Sequence, residues 1–168
     1  WNQNSQPIPT QCLPDLFEAQ VIQTPEQIAA YYGQESITYK KLNQRANQFA
    51  HYLIQQGVHT ESIVGICKAR SIDTLVAILG IHKAGAAYVP LDTAYPSERL
   101  NYMLADSEAV WLVTDSLNQS KFNTFKGQVL INIDIITEKL NKMPTENINR
   151  QIAPENACYI MYTSGSTG

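Results

Sequence analysis

The chain has 168 residues, 44% of them apolar and only 16% charged, with 12 Lys and Arg against 15 Asp and Glu for a formal charge of −3. That length suffices for one domain with a real core, and the sparse charge, without a basic block, speaks against a DNA or RNA partner. No apolar run approaches the ~20 residues that span a bilayer, so a membrane is not expected as a partner either.

Residues 1–11 are polar and carry Pro7 and Pro9, the pattern of a linker. From Leu13 the apolar positions Leu13, Leu16, Phe17 and Val21 recur at helical spacing, with Pro14 tolerated in the first turn. Pro25 ends that helix. Residues 28–32 and 37–39 read as two strands around a turn at 33–36. A helix follows with Leu42, Ala46, Phe49, Ala50, Leu53 and Ile54 on one face, stopped by Gly57. Residues 63–67 read as a short buried strand, and 72–84 as a helix ended by Gly85.

Residues 87–91 form the next expected strand, and a helix after Pro96 carries Leu100, Met103 and Leu104. Segments 110–114 and 129–133 add strands, the polar stretch 138–152 reads as a surface helix or loop, and 157–162 is the final strand. Strands alternating with helices of this length predict an α/β fold, with βαβ units forming a largely parallel sheet flanked by helices. Ligands in such sheets sit beyond the carboxyl ends of the strands.

The end of the chain lies there by prediction. After the apolar run Tyr159-Ile160-Met161-Tyr162 come Thr163, Ser164, Gly165, Ser166, Thr167 and Gly168. The two glycines permit a tight turn with several N–H groups facing one way, and the hydroxyls add donors, a chemistry suited to phosphate oxygens. Ser/Gly-rich ends also serve as flexible linkers, and no Lys-Ser/Thr pair of the P-loop kind follows Gly168. Cys12, Cys67 and Cys158 are odd in number and lack metal-ligand spacing, which fits free thiols and a cytoplasmic protein. An opening at Trp1 and an ending inside a glycine loop are expected of a piece of a longer polypeptide.

Three segments together resemble the amino-acid adenylation domains of non-ribosomal peptide synthetases. Ile37-Thr38-Tyr39-Lys40-Lys41-Leu42 resembles the first core motif of that family. His82-Lys83-Ala84-Gly85-Ala86-Ala87-Tyr88-Val89-Pro90-Leu91-Asp92, continuing to Tyr95-Pro96 and Arg99, resembles the second and is the most specific. Tyr162-Thr163-Ser164-Gly165-Ser166-Thr167-Gly168 resembles the start of the third, the family's phosphate-binding loop. The resemblance divides the chain into a linker of the condensation-to-adenylation type at 1–11 and the N-terminal portion of an adenylation domain at 12–168. That portion is an incomplete adenylate-forming fold, truncated in the phosphate-binding loop.

Three positions depart from the family pattern. Lys41 stands where Glu is common, which removes half of a capping box begun by Thr38, at about 1 kcal/mol. His82 stands where Leu is frequent, and Thr93 where Pro is frequent. The family's Pro-Lys-Gly continuation, its substrate-pocket segments and its late catalytic lysine are not among these residues.

The resemblance implies that the parent enzyme activates an amino acid with ATP and Mg2+, forming an aminoacyl-adenylate and pyrophosphate. The acyl group then passes to the phosphopantetheine thiol of a peptidyl carrier domain, beside an upstream condensation domain. By the same resemblance Thr163, Ser164, Gly165, Ser166, Thr167 and Gly168 bind the nucleotide phosphates, no residue of the segment is itself catalytic, and the isolated segment is inactive. The alternatives are an acyl-CoA or aryl-acid adenylating ligase, and a non-catalytic scaffold fragment. Of the other conspicuous residues, His51 is expected in solvent, His59 in a loop and His82 packed at an edge. Asp92 and Arg99 are expected to pair and pin a loop, and Tyr88, Tyr95 and Trp111 to lie in the core.

Overall fold

The structure, a computed structural model, describes residues 11–122 and 129–163. Helix α1 (Leu13–Gln23) starts with Pro14 in its first turn, and the Asp15 carboxylate accepts the Cys12 N–H at 3.1 Å. Strands β1 (Ile28–Tyr32) and β2 (Glu35–Thr38) pair antiparallel around Gly33, whose φ of +60° suits a residue without a side chain. Thr38 then caps α2 (Tyr39–Gln55), its hydroxyl accepting the Lys41 N–H at 3.2 Å. Tyr39 therefore opens the helix instead of closing the strand, because a capping hydroxyl satisfies an amide that the hairpin ladder cannot.

Strands β3 (Ile63–Cys67), β4 (Ala87–Pro90), β5 (Trp111–Thr114) and β6 (Val129–Asn132) form one parallel sheet in the order β4-β3-β5-β6. Helix α3 (Ile72–Lys83) joins β3 to β4, and α4 (Ser97–Asp106) joins β4 to β5. A 3-10 turn at Gln119–Phe122 and the single-turn α5 (Thr137–Leu140) flank β6. The expected α/β fold with a parallel, helix-flanked sheet is what the chain adopts.

Alternation along the strands sends side chains to two cores. Val64, Ile66, Trp111, Val113 and Ile131 face α2 and α3, where Phe49, Leu53 and Ile81 are fully buried. Cys67, Val89 and Leu112 face α4, against Leu100 and Leu104. Gly65 lets α4 close on the sheet: a Cβ there would stand 2.6 Å from Leu104 Cδ2.

Two segments depart from expectation. Residues 157–162 do not form a regular strand. They meet the sheet through one parallel bridge, Tyr88 to Tyr159, made by Tyr88 N–H to Cys158 O at 3.3 Å and Ile160 N–H to Tyr88 O at 2.9 Å. Only one neighbour is available at this edge, and a segment paired on one side makes fewer ladder bonds than an interior strand.

The polar stretch after α5 is a strap held by α2. Asn47 Nδ2 donates to Thr145 O at 2.7 Å and to Asn147 Oδ1 at 2.9 Å, and Asn43 Nδ2 donates to the same amide oxygen at 2.8 Å. His51, expected in solvent, is half-buried with Nε2 3.2 Å from Glu146 O. Replacing the fully buried Asn47 with Ala is expected to cost about 2 kcal/mol, since two acceptors lose their donor. Chemical denaturation would read the loss, and limited proteolysis would show cutting at residues 143–147; an unchanged midpoint would refute the role of the strap.

Candidate functional site at the carboxyl ends of the strands

The parallel sheet opens a cleft of about 350 Å³ beyond the carboxyl ends of β3 and β4. Lys68 and Arg70 enter it from the turn after β3, with Thr74 from the first turn of α3. Asp92, Thr93 and Tyr95 line it after β4, and Met161 and Tyr162 close one side. Ser71 caps α3, its hydroxyl accepting the Thr74 N–H at 3.2 Å, so the cap satisfies one of the free amides of that helix start.

Charge at the sheet end is organised around Lys68. Its Nζ lies 3.6 Å from Asp115 Oδ2 and 3.9 Å from Asp134 Oδ1. Asp115 follows β5 and Asp134 follows soon after β6, so one lysine ties three neighbouring strand ends together. The Ser116 N–H, donated at 2.9 Å, holds the Asp134 carboxyl below the usual carboxylate range against the opposing effect of its partial burial, and Lys68 adds to this. Asp115 Oδ1 accepts from both the N–H and the side-chain amide of Asn118, at 2.9 and 2.8 Å.

Asp92 and Arg99 do not pair with each other, contrary to expectation. Asp92 Oδ1 accepts the Ala94 N–H at 2.9 Å, closing its own turn, and the Arg99 guanidinium stacks 3.9 Å from the centre of the Tyr95 ring. A local turn bond and a cation–π contact are each reached within a few residues, without ordering a longer bridge. Lys121 Nζ also donates to Thr93 O and pins this turn.

The segment leading out of the cleft is anchored at Tyr162. Its hydroxyl donates to Asp106 Oδ2 at 2.6 Å and lies 3.2 Å from Met103 O, both on α4. Burial and the Asp106 carboxylate push the phenol up to about 12, so it remains a donor throughout the neutral range. Thr163 follows, exposed, beside the cleft. Ser164, Gly165, Ser166, Thr167 and Gly168, the rest of the expected phosphate-binding set, lie outside the described residues.

His82 lies packed in α3, its ring 5.5 Å from that of Tyr88, and His59 stands edge-on to Trp111 at 6.4 Å. Trp111 is buried in the first core, whereas Tyr88 and Tyr95 are half-buried. Cys12, Cys67 and Cys158 are free thiols, and burial pushes Cys67 up to about 11. Among the described residues no three His, Cys, Asp or Glu side chains are grouped to hold a metal ion, and no helix is long and apolar enough to cross a membrane. A second cavity of about 250 Å³ lies at the opposite end of β4, lined by Cys12, His82, Ala86 and Cys158 among others. It is away from the strand ends where a parallel sheet places its chemistry.

The Lys68–Asp115–Asp134 cluster and the Tyr162–Asp106 anchor were not read from the sequence. Their one available signal is a charged residue just past the end of three apolar strands, which becomes informative only when those strands are known to be neighbours.

Comparison with known proteins gives a consistent result. The family described as AMP-binding enzyme matches residues 17–168. The linear gramicidin synthase of Brevibacillus parabrevis contains a polypeptide 43% identical over the whole chain, and the dimodular nonribosomal peptide synthase of Bacillus subtilis (strain 168) is 35% identical over the whole chain. The chain spans only 3% and 7% of the lengths of those two relatives. A crystal structure of the nonribosomal peptide synthetase FmoA3 superposes with a TM-score of 0.89 at 26% identity, covering 97% of this chain and 17% of that one. A further structure of FmoA3 is of its AMPPNP-bound form, with a TM-score of 0.88. The N-terminal domain of FACL13 from Mycobacterium tuberculosis shares the fold with a TM-score of 0.83 at 22% identity, covering 92% of this chain and 42% of that one.

Proposed function

The chain belongs to the AMP-binding enzyme family, and from that membership we propose that it is the N-terminal part of an amino-acid adenylation domain. In the parent enzyme an amino-acid carboxylate oxygen attacks the α-phosphorus of ATP. The bond from that phosphorus to the bridging oxygen breaks, and pyrophosphate departs with the displaced electron pair. The carboxylate is already ionised at neutral pH and needs no general base. Donors aimed at the departing pyrophosphate are therefore the main contribution asked of this segment. Thr163, Ser164, Gly165, Ser166, Thr167 and Gly168 are assigned to that task.

The observation that carries the reading is the position of Thr163. The chain emerges at this residue beside the carboxyl-end cleft, anchored one residue earlier by Tyr162 to α4. The cleft rim offers Lys68, Arg70 and the hydroxyls of Thr74 and Thr93, a donor set that fits an anionic nucleotide. Mg2+ is a hard cation that keeps oxygen ligands and would arrive on the nucleotide phosphates. A carrier-domain phosphopantetheine thiol would then take the acyl group and release AMP, next to an upstream condensation domain of the same assembly line. Residues 1–11 are assigned as the linker to that domain.

Amino-acid-dependent exchange of label between pyrophosphate and ATP tests this reading in the adenylation domain carrying this chain. Gly165→Val is expected to lower that exchange by about a hundredfold or more, the scale of losing a preorganised donor. Exchange driven by fatty or aryl acids, and by no amino acid, would replace the reading with that of an acid–CoA ligase. The 168 residues alone are expected to bind ATP weakly or not at all, because they cover only 17% of the FmoA3 chain they superpose on.

A further inference from the structure

His82 stands in the last turn of α3 with only 7% of its surface exposed. Its Nε2 lies 3.1 Å from the Cys158 carbonyl oxygen and 3.3 Å from Cys158 Sγ. A carbonyl can only accept, so Nε2 carries the hydrogen, and Nδ1 is left buried without a partner. The same carbonyl receives the Tyr88 N–H at 3.3 Å, and Tyr88 O receives the Ile160 N–H at 2.9 Å. The rings of His82, Tyr88 and Tyr159 follow one another at 5.5 and 6.1 Å.

These contacts carry the attachment of residues 158–160 to the sheet. Where β3 meets β4, four registered residue pairs hold the strands, whereas here one bridge stands alone. A bridge of two backbone bonds fixes register weakly, and a third bond from a buried helical side chain removes much of the remaining freedom. The next anchor along the chain is Tyr162 on Asp106, and Thr163 follows directly. Leu, which the resembling family often carries at this position, would pack but donate no hydrogen bond.

We propose that His82 is a positioning residue for the loop at 163–168, holding the Cys158 carbonyl so that the segment entering the loop runs at one fixed height along β4. The inference rests on reading that loop as phosphate-binding. Its benefit is preorganisation: a segment ordered before the nucleotide arrives does not have to be ordered by it. Burial pushes the His82 imidazole down from its ordinary value, against the opposing effect of the Cys158 bond. The ring is therefore neutral at pH 7, as the Nε2–H donor with a bare Nδ1 requires.

The test compares His82→Leu and His82→Gln in the adenylation domain carrying this chain. It reads the ATP KM and kcat of pyrophosphate exchange, the hydrogen exchange of the Ile160 amide, and the melting temperature. His82→Leu is expected to raise the ATP KM about tenfold with kcat changed less than about threefold, while exposing the Ile160 amide. Gln offers an amide N–H at similar reach, so His82→Gln is expected to restore both KM and Ile160 protection. Loss of Ile160 protection with an unchanged KM overturns the positioning role and leaves the phosphate-binding reading standing. So does a melting temperature that falls equally in both variants without a change in KM. No amino-acid-dependent exchange in the unaltered protein overturns both.

Discussion

Glu18→Ala is expected to destabilise the domain by about 3–5 kcal/mol, more than an ordinary surface substitution by an order of magnitude. The reason lies in Lys83 on α3, whose side chain is 2% exposed and whose Nζ donates to Glu18 Oε1 on α1. Removing Glu18 strands a buried ammonium. Burial already pushes Lys83 below its ordinary value of 10.5, the Glu18 bond and charge opposing that shift only in part.

The sign of the pH dependence follows from that direction. Between the lowered folded value and 10.5 the unfolded chain binds more protons, so stability attributable to this group rises with pH. Below the folded value both states are charged and the full burial penalty applies. Without Glu18 the folded value falls further, so the relief starts at lower pH. The gap between Glu18→Ala and the unaltered protein should therefore narrow from pH 7 toward about pH 10. Glu18→Ala combined with Lys83→Met should recover most of the loss, because an apolar side chain of similar size leaves no charge to satisfy. Urea denaturation at the two pH values measures both; a gap independent of pH would show that Glu18 acts through packing alone.

Phe49→Ala comes next, at about 3–5 kcal/mol. Phe49 is fully buried on α2, and its ring occupies the space that Gly80 leaves open on α3. A Cβ at position 80 would stand 2.7 Å from Phe49 Cδ1 and 3.1 Å from Ala46 O, so the two helices pack nearly backbone to ring. Gly80→Ala alone should cost about 1–3 kcal/mol by overpacking. In the Phe49→Ala background the same change should cost far less, since the ring it would strike is gone. A double-mutant cycle by thermal or chemical denaturation reads that coupling, and simple additivity would mean that the helices separate to absorb the clash.

Much of the fold was legible because its signals are local. The Thr38 hydroxyl, the glycines at 57 and 85 with φ of +90° and +80°, and Pro14 in a first turn act within four residues of where they stand. Helical spacing of Leu42, Ala46, Phe49 and Leu53 likewise marked the buried face of α2 without reference to any partner. The candidate site was legible as a motif at 163–168, and by resemblance as a phosphate-binding loop. Its surroundings were not. Lys68 reads as an exposed charge until β5 and β6 bring Asp115 and Asp134 beside it.

Which residues form helices and strands, where most of those elements stop, and which family the chain belongs to could all be read from the order of residues. Each depends on neighbours along the chain or on a pattern of residues. Folding in three dimensions was needed to set β3 between β4 and β5, to clamp the polar strap after α5 under Asn43 and Asn47, and to join residues 157–162 to the sheet by one bridge. It also brought Lys83 to Glu18, 65 residues away, and His82 to Cys158, 76 residues away. Such pairings carry no local periodicity or cap to announce them, because their energy comes from burial and hydrogen bonding between elements that become neighbours only when the chain folds.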